Sequence, residues 1–246
     1  MFSTEGKTVR EIALDAPITT RIFEAFMIDY CCHGDIPFNE ACLSAGANPE
    51  IVLERIGAVL ANASEGKSDS WQSKPIRELI DHILDKHHVF TKQEMGQLTS
   101  LMAKVVVRHG EHNPQLIELR DLFAEVCEDM GPHMMKEEMV LFPYIQKIDH
   151  CCSNNLYAAF PPFGTVQHPI QMMTVEHEAV AELLSRMRAV SNDYSLPEGA
   201  CPSFTALYHR LIDFERDMHQ HIHLENNVLF PRAVELEQKA FSMSSK

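Results

Sequence analysis

The chain has 246 residues, 45% of them hydrophobic, enough for one large domain or a small one followed by a medium one. A net charge of −14 excludes a phosphate-binding nucleic-acid surface and docking on anionic lipid. No stretch approaches the roughly eighteen apolar residues of a membrane span, and Met1 to Lys7 lack the basic-then-apolar layout of a secretory leader, so a cytosolic location is expected.

Residues 1–60 read as a small helical unit. A helix starts at Thr8, and Ile22, Phe23, Phe26 and Met27 recur at helical spacing up to Asp29-Tyr-Cys-Cys-His-Gly34, where Gly34 is a stop signal. A short helix from Asn39 ends at Gly46, and Pro49 opens another that runs to about Leu60. Cys31 and Cys32 then sit at a helix end in a glycine turn. Two readings stay open for them: small buried residues, or a thiol pair that relays electrons or accepts iron or nitric oxide. Seven cysteines, an odd number with two adjacent pairs, argue for free thiols in a reducing compartment.

Residues 61–74 are small and polar and read as a linker, with Trp71, the single tryptophan, pinning it to one side. Four long helical patterns follow over residues 75–246. Helix A runs from about Pro75 to His109, helix B from after Pro114 to about Lys147, helix C from Pro169 to about Val190, and helix D from after Pro202 to about Gln238. Residues 149–167, with Cys151-Cys152, read as a loop. Few runs alternate with period two, so the expected class is all-α: the small N-terminal unit and an up-down-up-down four-helix bundle.

Helices B and D carry the same phrase. His133 and Glu137 are followed by Leu141-Phe142-Pro143, and His221 and Glu225 by Leu229-Phe230-Pro231 at the same offset. Positions i and i+4 share a helix face, so each copy aims an imidazole and a carboxylate at one point. His88 of helix A lies 45 residues before His133, and His177 of helix C lies 44 before His221, which makes A–B and C–D two halves of an internal duplication. His82 and His87 are near, but the matched spacing favours His88. Fourteen histidines, most beyond residue 80, add a compositional pointer to metal.

His88, His133, Glu137, His177, His221 and Glu225 therefore form the candidate metal set. Four imidazoles and two carboxylates suit two ions, each taking two histidines, with both glutamates able to bridge. That mixed nitrogen and oxygen shell fits iron or manganese better than zinc, with positions left for a bridging oxo or hydroxo group and an exogenous ligand. Asp129, four residues before His133, and Glu176, beside His177, are candidates for an outer hydrogen-bond acceptor or proton relay. Glu138, His219 and His223 project away from the site and read as surface groups. Phe142 and Phe230 with their prolines read as core packing and helix ends.

With these residues in view, the last 170 or so positions resemble a hemerythrin-like bundle. Ile28-Asp-Tyr-Cys-Cys-His-Gly34 resembles the signature of the short domain preceding it in the di-iron proteins of iron–sulfur cluster repair, and Leu79 to Leu84 leading to His88 fits the same family. The resemblance implies two non-haem irons, with His88, His133, His177 and His221 as terminal ligands and Glu137 and Glu225 as bridges. It further implies a bacterial cytosolic protein, induced by nitric oxide or oxidative stress, whose partners are damaged or apo iron–sulfur proteins and nitric oxide. Two features depart from the family pattern: His87 stands where a tyrosine is expected, and the loop carrying Cys151-Cys152 is long. Iron delivery, nitric oxide reduction, a reversible sink or sensor for nitric oxide or dioxygen, and a structural metal bundle that binds partners through its N-terminal unit are the competing functions. A homodimer would need an exposed apolar patch near Cys31.

Overall fold

The computed structural model describes residues 4, 6–62, 71–154, 156, 158, 159 and 161–243. Among them the architecture is all-α; the one strand-like feature is an isolated bridge between Thr8 and Pro37. No helix among the described residues is long and apolar enough to cross a membrane.

Four short helices come first: α1 Val9–Asp15, α2 Thr20–Ala25, α3 Phe38–Ser44 and α4 Pro49–Asn62. A capping box starts α1. The Thr8 hydroxyl accepts from the Glu11 N–H at 3.2 Å, and the Glu11 carboxylate accepts from the Thr8 N–H at 2.8 Å. Ile12, Phe23, Ile28, Tyr30, Phe38 and Ile56 are among the residues that close a core of this unit's own. The second helix is shorter than its apolar spacing suggests. It ends at Ala25, because Met27 turns the chain out at φ 58°, so Cys31 and Cys32 lie in a loop and not at a helix end. Gly34 does not stop a helix there. It lets the loop close: the Arg10 N–H donates to its carbonyl at 2.6 Å, and a Cβ on Gly34 would meet the Tyr30 carbonyl at 2.7 Å.

The bundle helices are α5 (76–109), α6 (115–153), α7 Gln167–Val190 and α8 (202–243). Helix α5 packs on α6 and α8, and α6 on α7, the ring order of an up-down-up-down bundle. Most of the expected linker, residues 63–70, lies outside the described residues. Helix α6 runs past Lys147 to Ser153, so Cys151-Cys152 belongs to its last turn and Cys151 is buried; α8 runs to Met243. Phe142 and Phe230 are core residues, but the helices do not end at their prolines. Each Phe-Pro follows a π-helical stretch, Glu137–Leu141 or Glu225–Leu229, and the helix continues beyond it. A widened turn already breaks the i to i−4 ladder, so a proline that donates no N–H is tolerated just after it.

The bundle holds two apolar blocks. Met102, Phe123, Met130, Leu184, Phe214 and Met218 belong to one, and Ile80, Ile83, Phe142, Met173, Val228 and Phe230 to the other. Every long helix passes from one block to the other beside a candidate ligand: between Ile83 and Leu98 in α5, Met134 and Leu141 in α6, Met173 and Val180 in α7, and Ile222 and Leu224 in α8. The seam between the blocks is where the polar groups collect.

Candidate metal centre

Four imidazoles and two carboxylates meet in that seam. His88, His133, Glu137, His177, His221 and Glu225 are each at most 1% exposed. They form two stations that share both glutamates: His88 and His221 with Glu137 and Glu225, and His133 and His177 with Glu137 and Glu225, all ligand atoms of each within 4.8 Å of one another. His88 Nε2 faces His221 Nε2 at 3.1 Å, and His177 Nε2 faces His133 Nε2 at 3.0 Å. The two oxygens of Glu225 divide between the stations, Oε1 lying 3.0 Å from His221 Nε2 and Oε2 3.1 Å from His177 Nε2. Glu137 Oε2 sits 3.4 Å from both His88 Nε2 and His133 Nε2.

This arrangement fits a bound cation better than an empty polar core. Both oxygens of Glu137 are buried without a hydrogen-bond partner, and an orphaned buried carboxylate is costly unless a positive charge faces it. Paired imidazole nitrogens aimed at each other leave lone pairs that a cation between rings and carboxylates satisfies. In the metal-free chain the histidines themselves supply that positive charge. Burial opposes a charge on His88, yet Glu137 and Glu225 hold it up at about 10; burial likewise opposes a charge on His133, which Glu137 holds up at about 9. Burial also penalises the Glu225 carboxylate, but His221, His177 and His88 hold it well below the usual range. The glutamates are thus held ionised, the state in which they bind a metal.

Three of the four outward ring nitrogens are fixed by residues on neighbouring helices, and His221 Nδ1 is buried without a hydrogen-bond partner. His88 Nδ1 lies 2.7 Å from Glu138 Oε1, which also accepts from Lys92 Nζ at 2.6 Å. His133 Nδ1 lies 2.8 Å from Glu176 Oε2, whose other oxygen accepts from Lys136. His177 Nδ1 lies 2.9 Å from Asn226 Oδ1. Such contacts set tautomer and ring orientation at metal sites. Glu176 is therefore in contact with the site, as the sequence allowed. Asp129 is not: it is exposed to solvent. Glu138 is a correction, since it touches His88 instead of lying free on the surface. His223 is another. It is 7% exposed, edge-on to Tyr30 at 5.2 Å and 2.9 Å from Asn227 Nδ2. His219 is half-buried, on the wall of a cavity of about 700 Å³ beside Cys31. One signal for the outer contacts was present in the sequence. Glu138 and Asn226 each directly follow the glutamate of their copy, so the two copies match at that position inside the phrase as well.

None of the seven cysteines is in a disulfide. The Cys31-Cys32 loop is organised by Asp29, whose Oδ1 accepts from the N–H of Cys31 at 2.9 Å and of Cys32 at 3.0 Å, while His33 Nδ1 lies 2.8 Å from Oδ2. Its sulfurs are 3.8 Å apart, and that of Cys32 lies 4.0 Å from the His177 carbonyl. The contact with Cys32 and burial push the Cys31 thiol well above its ordinary range.

Comparison with known proteins agrees with this geometry. The sequence profile of the hemerythrin HHE cation binding domain matches residues 79–233, and that of the ScdA_N domain, a domain of unknown function, matches residues 5–60. The iron-sulfur cluster repair protein ScdA of Staphylococcus haemolyticus is 32% identical over 92% of this chain and 97% of its own length. A probable iron-sulfur cluster repair protein of Haemophilus influenzae is 29% identical over 95% and 99%. The iron-sulfur cluster repair protein YtfE of Yersinia pestis is 31% identical over 93% and 97%.

Proposed function

The chain belongs to the hemerythrin HHE cation-binding family and, within it, to the iron–sulfur cluster repair proteins, and from that membership we propose that it is a cytosolic non-haem di-iron protein that helps restore iron–sulfur clusters damaged by nitric oxide or oxidative stress. The observation that carries this reading is the pair of buried stations with two glutamates in common. His88 and His221 would hold one iron, His133 and His177 the other, and Glu137 and Glu225 would bridge them. Iron bound there would supply one-electron redox steps, two electrons in all, which with two protons from solvent would join two nitric oxide molecules into nitrous oxide and water. Iron leaving the site would be cargo for an apo cluster. The protein's own part is to hold the imidazoles through Glu138, Glu176 and Asn226 and to keep bulk water out with the apolar blocks on either side. We take residues 1–60 and 75–246 as the two functional units.

Iron analysis of the purified chain should give about two irons, and Glu137→Ala and Glu225→Ala should each lose the centre, because each removes a shared ligand. One zinc and no iron would overturn the reading, and full iron retention in either variant would overturn the bridging assignment. Near-complete burial of all six residues also favours a narrower alternative: a sink or sensor that admits only a diatomic gas. Anaerobic mixing of the reduced, iron-loaded chain with nitric oxide separates the two. Nitrous oxide release supports turnover, and stoichiometric uptake without it supports a sink.

A further inference from the structure

A column of rings leads outward from one side of the metal stations. His87 lies parallel to His221, with centroids 5.6 Å apart and 10° between planes, and its Nδ1 is 3.0 Å from Asp217 Oδ1. His82 meets His87 edge-on at 5.5 Å, and Trp71 lies over His82 at 4.4 Å. Exposure falls inward along the column: Trp71 and His82 are half-buried, His87 is 1% exposed and His221 is 0% exposed. The outer end is held in place. The Arg232 guanidinium donates to the carbonyl oxygens of Trp71 at 2.7 Å and Lys74 at 2.6 Å, and the Lys74 ammonium lies 4.6 Å from the centre of the indole. None of Trp71, His82 and His87 belongs to the six candidate ligands.

A cavity of about 290 Å³ opens on this column, lined among others by Trp71, His82, His87, Ile18, Arg21 and Lys86. That volume suits one small planar ring system. Three rings and an isoleucine offer it apolar and π-bearing surface, and Arg21 and Lys86 offer positive charge. We propose that the cavity seats the ring of a small reduced flavin, and that its electrons reach the metal stations through the successive rings of Trp71, His82, His87 and His221. The proposal rests on the di-iron reading above. A reduced flavin is flat, carries an anionic tail and can release its electrons singly, whereas a nicotinamide releases a hydride to one acceptor. Two metal ions that each accept one electron need the first kind of donor. The balance is simple: one reduced flavin becomes one oxidised flavin and loses two protons to solvent, and two ferric ions become ferrous. The rings transmit the electrons by contact and keep their own protons throughout.

Two measurements test this, and the first needs no iron. Trp71 is the only tryptophan, so titrating oxidised flavin mononucleotide into the iron-free chain should quench its fluorescence saturably, and reversing the rim charge with Arg21→Glu and Lys86→Glu should weaken that binding about tenfold. Absence of saturable quenching overturns the flavin seat whatever the metal content. The second is anaerobic stopped-flow reduction of the ferric, iron-loaded chain by reduced flavin mononucleotide. His82→Leu and His87→Leu should slow reduction about tenfold with the rate taken per bound iron, and His82→Phe and His87→Phe, which keep a ring, should stay within about twofold of the parent. Leucine variants at the parent rate overturn the path, and so do phenylalanine variants as slow as the leucine ones. His82 is only half-buried and six residues from His88, so its variants report on the path without disturbing a ligand's neighbour. A chain that purifies without iron fails the di-iron reading at the iron analysis, while the fluorescence titration still decides the seat.

Discussion

Glu138 divides one carboxylate oxygen between Lys92 and the outward nitrogen of His88. Removing it frees the imidazole to rotate and to change tautomer without touching a candidate ligand. Glu138→Ala should therefore lower metal affinity about 10- to 100-fold, measured by competition with a chelator; an unchanged affinity would show that packing alone orients His88. Helical projection misplaced this residue and Asp129 for related reasons. Each i+4 step turns the face by about 40°, so Asp129, one step before His133, has rotated toward solvent. Glu138 does not reach into the stations at all. It points sideways to a neighbouring helix, a direction that one helix's projection leaves out. Cys31 shows the same limit: its thiol is disfavoured as a thiolate by the Cys32 sulfur, burial and Asp29, none of which follows from the sequence of two adjacent cysteines.

The repeated Leu-Phe-Pro acts as part of an element. The leucine of each copy closes a π-helical stretch that opens at a candidate ligand glutamate, and such stretches are common where a helix serves a functional site. The phenylalanine then covers an imidazole borne by another helix: Phe142 lies 5.7 Å from His88, and Phe230 is parallel to His177 at 6.0 Å and 4°. Phe230→Ala would remove both core volume and the surface that fixes His177. The expected cost is about 3–5 kcal/mol in urea unfolding of the metal-free chain; a loss below about 1 kcal/mol would mean that the ring packs loosely. The prolines misled the reading of helix ends because proline normally removes an intrahelical bond. In α6 and α8 the widened turn had already given that bond up.

At the scale of the whole molecule, the N-terminal unit is seated on α8 by a few specific contacts. Asn227 Nδ2 donates to the carbonyl oxygens of Tyr30 at 3.1 Å and Cys31 at 3.3 Å, and Arg216 Nε donates to Glu24 at 3.1 Å. Asn227→Ala should weaken this seat by about 1–3 kcal/mol and speed alkylation of Cys31 and Cys32 by iodoacetamide, read by peptide mass spectrometry; an unchanged rate would show that the loop is held without α8. The helical class, the duplication and the six residues that meet in the seam were legible because they are carried by local patterns. Apolar spacing at a period near 3.6 specifies helices, and i, i+4 pairs specify one face. Which histidine faces which, the acceptors Glu138 and Asn226, the ring column through His87, and the seat of the Cys31-Cys32 loop over His177 were decided by tertiary structure alone. They join residues between about 40 and 200 positions apart in sequence, and no period within a single helix encodes how two helices turn toward each other.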